Sequence, residues 1–300
     1  MSSAAVPIKF VIGARKLFAV PRLLDTVAFG LDALVSGEAP AIPPPGAGSE
    51  GLRVLSAPAA ARDAIRARFP HHVMGGLQVY DRYYIEMAGR SYADYLAGFS
   101  SKTRATLQRK RRRLAGLDIR EFHREHEVAA FMADAVPLAR RAYQSRSLDA
   151  GLPDDAAAVA EMTGRARRDA MRAYVLYLDG RAASYLYLPI DDGIVSYAHL
   201  GYDPAHAHLS VGTVLQMAVV ERLFAEGRYR YFDFTEGGGA HKRMFGTASV
   251  PACSFLLLRP SVSNRLLLSS LDAFDSGVSI ARGLAERGGA LARLRRALRG

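Results

Sequence analysis

The chain has 300 residues, half of them apolar and 23% charged, which is enough for one large domain or two compact ones. Lys and Arg number 40 against 29 Asp and Glu, and the net charge of +11 favours anionic partners such as phosphates, coenzyme A, anionic lipid or nucleic acid. The single cysteine, Cys253, excludes an internal disulfide and a multi-cysteine zinc site. No apolar run reaches the ~20 residues of a spanning helix, so a cytoplasmic protein without a metal is expected.

Between Pro7 and Val35, apolar residues recur at roughly helical spacing among Lys9, Arg15, Lys16 and Arg22. The expectation is an amphipathic helical arm over residues 1–36, packed on its own domain or lying on an anionic membrane surface at the inner face. Residues 37–51 hold Pro40, Pro43, Pro44, Pro45, Gly46 and Gly48 and are expected as a linker. An N-terminal α+β lobe follows over 52–150. In it Leu52–Ser56 reads as a strand, Ala59–Phe69 as a helix, and Gln78–Met87 as a strand entered through a Gly75-Gly76 turn. Ser91 opens a helical stretch to Leu114, with Ser100 and Ser101 as caps for a second helix.

That second helix carries Lys102, Arg104, Arg109, Lys110, Arg111, Arg112 and Arg113 without an intervening acid. These cations repel one another unless neutralised, so the run is a solvated face or a contact for a polyanion. No zinc-finger spacing, ribonucleoprotein motif or interleaved aromatic residue accompanies it. Ile119–Phe122 reads as a strand, Glu125–Gln144 as a helix interrupted by Pro137, and Asp154 as the cap of a helix reaching Ala170.

From 151 to 262 the pattern changes. Three apolar runs, Ala173–Leu178, Arg181–Ile190 and Ile194–Leu200, are separated by Asp179-Gly180 and Asp191-Asp192-Gly193, the turns of an antiparallel meander. A helix over Val211–Glu226 stops at Gly227. Tyr229–Phe234 reads as a strand, Gly237–Gly239 as a loop leading to His241-Lys242-Arg243, and Ala252–Leu258 as the last strand. Residues 263–300 form a basic, helix-patterned tail.

The start of the Val211 helix is a natural anion seat. The amides of Val211, Gly212 and Thr213 have no carbonyl one turn earlier, the helix dipole adds positive potential, Ser210 can cap, and Gly212 allows close approach. Asp233, flanked by Phe232 and Phe234, is a carboxylate on a buried strand and needs a partner, with Lys242 and Arg243 as candidates. His199 near a strand end has the titration range of a general base, with Glu236 as the competing base. Tyr197 and Tyr202 are candidate hydrogen-bond donors, and Cys253 in its apolar run reads as a packed thiol.

One order of features is distinctive: Leu178-Asp179-Gly180-Arg181, then Tyr197, Gly201-Tyr202-Asp203-Pro204, Leu209-Ser210-Val211-Gly212, Glu226-Gly227, Phe232-Asp233-Phe234, Gly238 and His241-Lys242. In it the chain resembles the GNAT acyltransferase superfamily, in its CelD-like branch related to the Fem-type aminoacyltransferases. Ser101 to Arg104 with Leu107 to Leu114 is similar to the basic helix of that branch. The resemblance implies an α+β fold, a mixed but largely antiparallel sheet flanked by helices, in two lobes whose N-terminal member is a candidate degenerate GNAT-like fold. It implies an acyl-CoA donor held at Leu209, Ser210, Val211, Gly212 and Thr213. Transfer to an amine acceptor is then direct, with Asp233 and Lys242 paired at the site and no acyl-enzyme. Fem-type relatives use aminoacyl-tRNA instead, and the basic helix suits that donor carrier. A non-catalytic GNAT-like scaffold that only binds an anion is the reading from outside enzymology.

Overall fold

A computed structural model describes residues 3–12, 15–37, 41–113, 118–146 and 151–287. In chain order it contains β1 (Ala4–Ile12), β2 (Arg15–Ala28), α1 (Leu31–Ser36), β3 (Gly51–Pro58), α2 (Arg62–Arg68) and β4 (Val73–Glu86). Next come α3 (Tyr92–Ala97), α4 (Ser101–Arg113), β5 (Asp118–Phe122), α5 (Val128–Arg146), α6 (Ala156–Arg167), β6 (Met171–Leu178) and β7 (Arg181–Asp191). Then follow β8 (Ile194–Ser196), β9 (His199–Tyr202), α7 (Val211–Glu226), β10 (Tyr231–Asp233), α8 (Ala240–Phe245), β11 (Ala248–Leu258) and α9 (Val262–Arg287). The chain divides into two compact units, Met1–Tyr80 with Pro251–Gly300, and Asp81–Val250. These bounds differ from the lobes expected at 52–150 and 151–262: both ends of the chain share the first unit, and the segment 81–150 joins the second.

In the first unit the strand order is β1, β2, β3, β11. The segment expected as a helical arm is a β-hairpin, with β1 and β2 antiparallel from Ala4↔Leu24 to Ile12↔Arg15. Pro21 is the physical reason: inside a helix it removes an amide donor and clashes with the preceding turn, at about 3 kcal/mol. It is tolerated here because β2 pairs with β3 only from Leu24 to Ala28, so Pro21 lies where β2 has a single neighbour, opposite Pro7. Val6, Ile8 and Phe10 alternate inward and meet Leu24, Leu256, Leu258 and, from α9, Leu267, Leu268 and Leu271.

The segment expected as a linker packs onto the same unit. Ile42 is buried with Phe29, Leu52 and Phe255, and the Gly46 amide donates to the buried Asp25 carboxylate at 2.8 Å. Gly75 and Gly76 are not the entry turn of β4 but residues within it. A Cβ on Gly75 would lie 2.8 Å from the Leu268 side chain, so these glycines let α9 come close. Cys253 is buried among these apolar residues, and burial pushes its thiol above the usual range, as suits a packing role. Of the helical tail expected to Arg299, α9 reaches Arg287; Leu291, Leu294 and Leu298 lie outside the described residues.

In the second unit the order is β4, β10, β8, β7, β6, β5, with β9 also on β7. All its pairs are antiparallel except β8 with β10. The fold is therefore mixed α/β with a largely antiparallel sheet flanked by helices, as expected. Asp179-Gly180 and Asp192-Gly193 take up positive φ at the two hairpin turns, φ of 49° and 73° in the first and 49° and 77° in the second. β6 is buried on both faces. Tyr174 and Leu176 join Leu186, Leu188 and Phe232 under α7, whose Val214, Leu215, Val219 and Val220 are buried there. Ala173, Val175 and Tyr177 face Phe131, Leu138 and Met162 of α5 and α6.

The expected helix starts hold at Ser91, which forms a capping box with Asp94, and at Ser100, whose Oγ accepts from the Thr103 amide at 3.2 Å. At α6 the cap is Asp155 rather than Asp154: its carboxylate takes the Ala157 and Ala158 amides, each at 3.0 Å. α5 continues through Pro137. Leu114, the expected end of the basic helix, lies outside the described residues.

Candidate functional site

The site begins where one strand parts from its neighbour. β8 runs parallel to β10 as far as Ser196↔Asp233, and the Tyr197 amide still donates to the Asp233 carbonyl at 2.8 Å. Past Ala198 the chain turns away, and β9 pairs with β7 alone, from Tyr187↔His199 to Ser184↔Tyr202. The strand expected as one run over Ile194–Leu200 is thus two, and the break opens a pocket of about 370 Å³. Its walls are Tyr197, Leu200, Tyr202, Ala207, Ser210, Val211, Gly212, Thr213 and His241. That volume lies within the usual range of small-molecule sites.

The start of α7 forms one wall. The first bond of its ladder runs from the Val214 amide to the Ser210 carbonyl at 3.1 Å, so the amides of Val211, Gly212 and Thr213, residues of the pocket wall, precede the helical pattern. Ser210 does not cap. It takes a left-handed conformation, φ 58°, and its side chain makes no cap bond, so the expectation of a serine cap is corrected. The turn is instead tightened by the Ser210 amide on the Ala207 carbonyl at 3.0 Å. Gly212 is closely enclosed, since a Cβ there would stand 3.2 Å from the side chains of both Leu200 and Tyr202, two residues of the pocket wall, which would have to give way. Leu209, the first of the five expected donor positions, packs against the core under α7 and does not line the pocket.

Of the four expected catalytic residues, Asp233, Glu236 and Lys242 lie near one another at and after the end of β10, and His199 stands apart. Strand alternation sends Leu200 and Tyr202 into the pocket and His199 to the opposite face, where it stacks on Tyr187 with ring centroids 6.2 Å apart. Burial there holds its imidazole below the ordinary range. Asp233 is fully buried and its partner is Arg82, not Lys242 or Arg243. The guanidinium is bidentate, Nε to Oδ1 at 3.1 Å and Nη2 to Oδ2 at 2.5 Å, and the Thr235 amide donates to Oδ1 at 2.8 Å. Lys242 donates instead to the backbone carbonyls of Thr235, at 3.3 Å, and Glu236. Burial holds its amine below the usual lysine range, partly offset by the charge of Asp233. Arg243 donates to the Tyr83 hydroxyl at 3.1 Å, and the Glu236 side chain is exposed on the loop after β10.

The residue that sequence reasoning passed over is His241. α8 carries it to the pocket wall, where its ring packs on Phe245, 4.7 Å between centroids, and lies 6.4 Å from Tyr197 and Phe234. Its Nε2 meets the Oε1 of Gln216, a fully buried side chain on α7, at 2.7 Å. Its Nδ1 has no hydrogen-bond partner among the described residues. The apolar surroundings, with Lys242 and Lys110 nearby, lower its pKa below 6.5, so the imidazole is neutral at neutral pH. The signal was present in His241-Lys242-Arg243, but nothing local shows which of the three faces the pocket.

A groove on the other side of the α7 start shares Thr213 with the pocket and is lined by Tyr92, Leu96, Leu107 and Met217 beneath Arg104 and Lys110. On α4, Arg111 pairs with Glu221 at 2.9 Å, whereas Arg104, Arg109, Lys110, Arg112 and Arg113 have no acidic partner among the described residues. The basic run is thus mainly an unneutralised face.

Residues 101–243 match the family model described as Acetyltransferase (GNAT) domain, a stretch that holds the pocket, the α7 start and His241. Those residues carry a GNAT-type domain, and the match supports a transferase enzyme. Solved structures similar to it include FemX, at 10% identity and TM-score 0.53, covering 86% of this chain and 89% of that one. Two more are L-PGS from Bacillus licheniformis (14%, TM-score 0.44, covering 74% and 73%) and a GCN5-related N-acetyltransferase from Kribbella flavida (14%, 0.37, covering 88% and 92%). No curated protein matches the chain in sequence.

Proposed function

We propose that the protein is an N-acyltransferase that seats the pyrophosphate of an acyl-CoA on the amides of Val211, Gly212 and Thr213 and passes the acyl group directly to an amine. The observation that carries this reading is the juxtaposition, in one pocket, of a helix N-terminus suited to an anion and a neutral histidine suited to a base. An ammonium acceptor gives its proton to Nδ1 of His241. The freed amine attacks the thioester carbonyl and the C–N bond forms as the C–S bond breaks; Tyr197 or Tyr202 protonates the departing thiolate and is restored by the second proton of the amine nitrogen, while His241 gives its proton to solvent. Gln216 holds the far side of the imidazole, and Lys242 fixes the loop at Thr235 and Glu236. The net charge of +11 favours an acceptor among envelope or lipid amines at an anionic surface.

Thermal unfolding with CoA, acetyl-CoA and a long-chain acyl-CoA tests the donor. A ligand at about 100 times its dissociation constant stabilises by about 2.7 kcal/mol, and a raised melting temperature is expected. No shift with any of the three would remove CoA as donor. The second reading, an aminoacyl-tRNA donor, is supported by the unneutralised face of α4 beside Thr213. It predicts transfer that stops after nuclease treatment, whereas CoA-dependent transfer continues. A scaffold without activity would show neither transfer nor a response to CoA.

A further inference from the structure

The first unit collects exposed apolar residues. Of the twelve large apolar side chains exposed among the described residues, eleven belong to it, and five of these sit on the β1–β2 hairpin: Val11, Ile12, Leu17, Phe18 and Leu23. Ile12 is 51%, Leu17 47% and Phe18 52% exposed, on both sides of the hairpin end. Single exposed apolar residues are ordinary; a cluster on a projecting element marks a contact surface. The base of the hairpin is anchored, because Phe10 stacks on Phe18 at 4.3 Å and meets Phe274 of α9 edge-on at 5.4 Å. The packing of β1 on α9 proceeds from Val6 and Ile8 on Leu267, Leu268 and Leu271 to Phe10 on Phe274, so α9 runs along β1 toward the hairpin end.

Charge selects the partner. The first 24 residues hold Lys9, Arg15, Lys16 and Arg22 and no acid, the first being Asp25. Arg22 pairs with Glu50 at 3.4 Å, and Lys9, Arg15 and Lys16 still give the hairpin a net positive charge; that excess and the apolar end match a surface that is anionic outside and apolar within. We propose that the β1–β2 hairpin is a membrane-docking element that inserts Ile12, Leu17 and Phe18 at the headgroup boundary of an anionic bilayer. The surface lies in the first unit and stands independently of the transfer chemistry. β1 is also a sheet edge, paired only with β2, so a second copy of the chain is the competing occupant.

The test is sedimentation of the full chain with vesicles of phosphatidylglycerol and phosphatidylcholine, against phosphatidylcholine alone. Binding to the anionic vesicles only, weakened at about 0.5 M salt by screening, is expected. The double variant Ile12→Asp with Leu17→Asp, which spares the Phe10–Phe18 stack, should bind at least about tenfold more weakly at an unchanged melting temperature. The chain has no tryptophan, so Phe18→Trp reports directly: its emission should shift to the blue with anionic vesicles even if the double variant fails to fold. Wild-type protein that ignores anionic vesicles, a double variant that binds like wild type, or an emission that does not move would overturn the proposal. So would a wild-type dimer that the double variant converts to monomer without any vesicle binding. The melting response to CoA, read on the same variants, reports the donor site separately.

Discussion

His241 and Asp233 illustrate how little a residue's identity says before its surroundings are known. Asp233 lies between two phenylalanines in the sequence and His241 between Ala240 and Lys242, yet the histidine faces a pocket and the aspartate is enclosed by a guanidinium. If His241 is the base, His241→Ala should lower kcat/KM by about 10²- to 10⁴-fold while the CoA-induced melting shift persists. The sign of the pH dependence follows from its lowered pKa: the neutral, proton-accepting form is lost as pH falls through a midpoint below 6.5, so the rate should drop on that acid limb and be level near neutrality. A pH profile with its limb at or above pH 7 would assign the base elsewhere. Asp233 makes the opposite prediction. Asp233→Asn takes the carboxylate from the buried Arg82 guanidinium and should cost about 3–5 kcal/mol of stability in a denaturant titration, with any surviving folded protein still active. An active-site carboxylate would instead lose turnover at nearly unchanged stability.

At the scale of elements, the decisive event is the parting of β9 from β10. It needs no special residue at the break, only that β8 ends on Asp233 while β9 stays with β7, and the α7 start then forms the wall of the opening. Gly212 ties helix and strand together. Gly212→Val should push Leu200 and Tyr202 into the pocket and abolish the melting shift with CoA, at a stability cost of about 1–3 kcal/mol from overpacking. A variant that melts lower but shifts with CoA as wild type does would place the donor away from the α7 start. The helix itself was fully legible, Val211–Glu226 with its stop at Gly227 in αL, because apolar periodicity and a C-terminal glycine are both local. The hairpin at the N-terminus was not, since an apolar residue every third or fourth place fits a helix as well as two short strands until Pro21 is weighed.

For the whole molecule, the division into units follows packing rather than chain order. α9 completes the core of a unit whose strands β1 to β3 come from the other end of the chain, with Leu267, Leu268 and Leu271 against Val6, Ile8 and Leu24. Ending the chain at Arg259 removes those three leucines, each worth about 2–5 kcal/mol in a core, from a protein whose total stability is of order 5–15 kcal/mol. The shortened chain should lose the cooperative unfolding of the first unit, seen as early amide exchange over β1 to β3 while the second unit stays protected. Protection of β1 to β3 equal to that of the full chain would show that α9 is dispensable. Among the described residues no helix is long and apolar enough to cross a membrane.

By itself the sequence determined the local and periodic features. These are the meander with its Asp-Gly turns, the helix with its free first amides, the capping serines at Ser91 and Ser100, the basic run on α4, and a family resemblance that rests on their order. Tertiary structure decided everything that depends on which face or partner a residue meets. His199 was turned away and His241 brought in by strand alternation and by α8, and Arg82 took Asp233 from 151 positions away. The arm became a hairpin because α9 and β3 were there to receive it. Backbone propensities act over a few neighbouring residues and are written along the chain, whereas pairing, burial and charge compensation act across space and are settled only when distant segments meet.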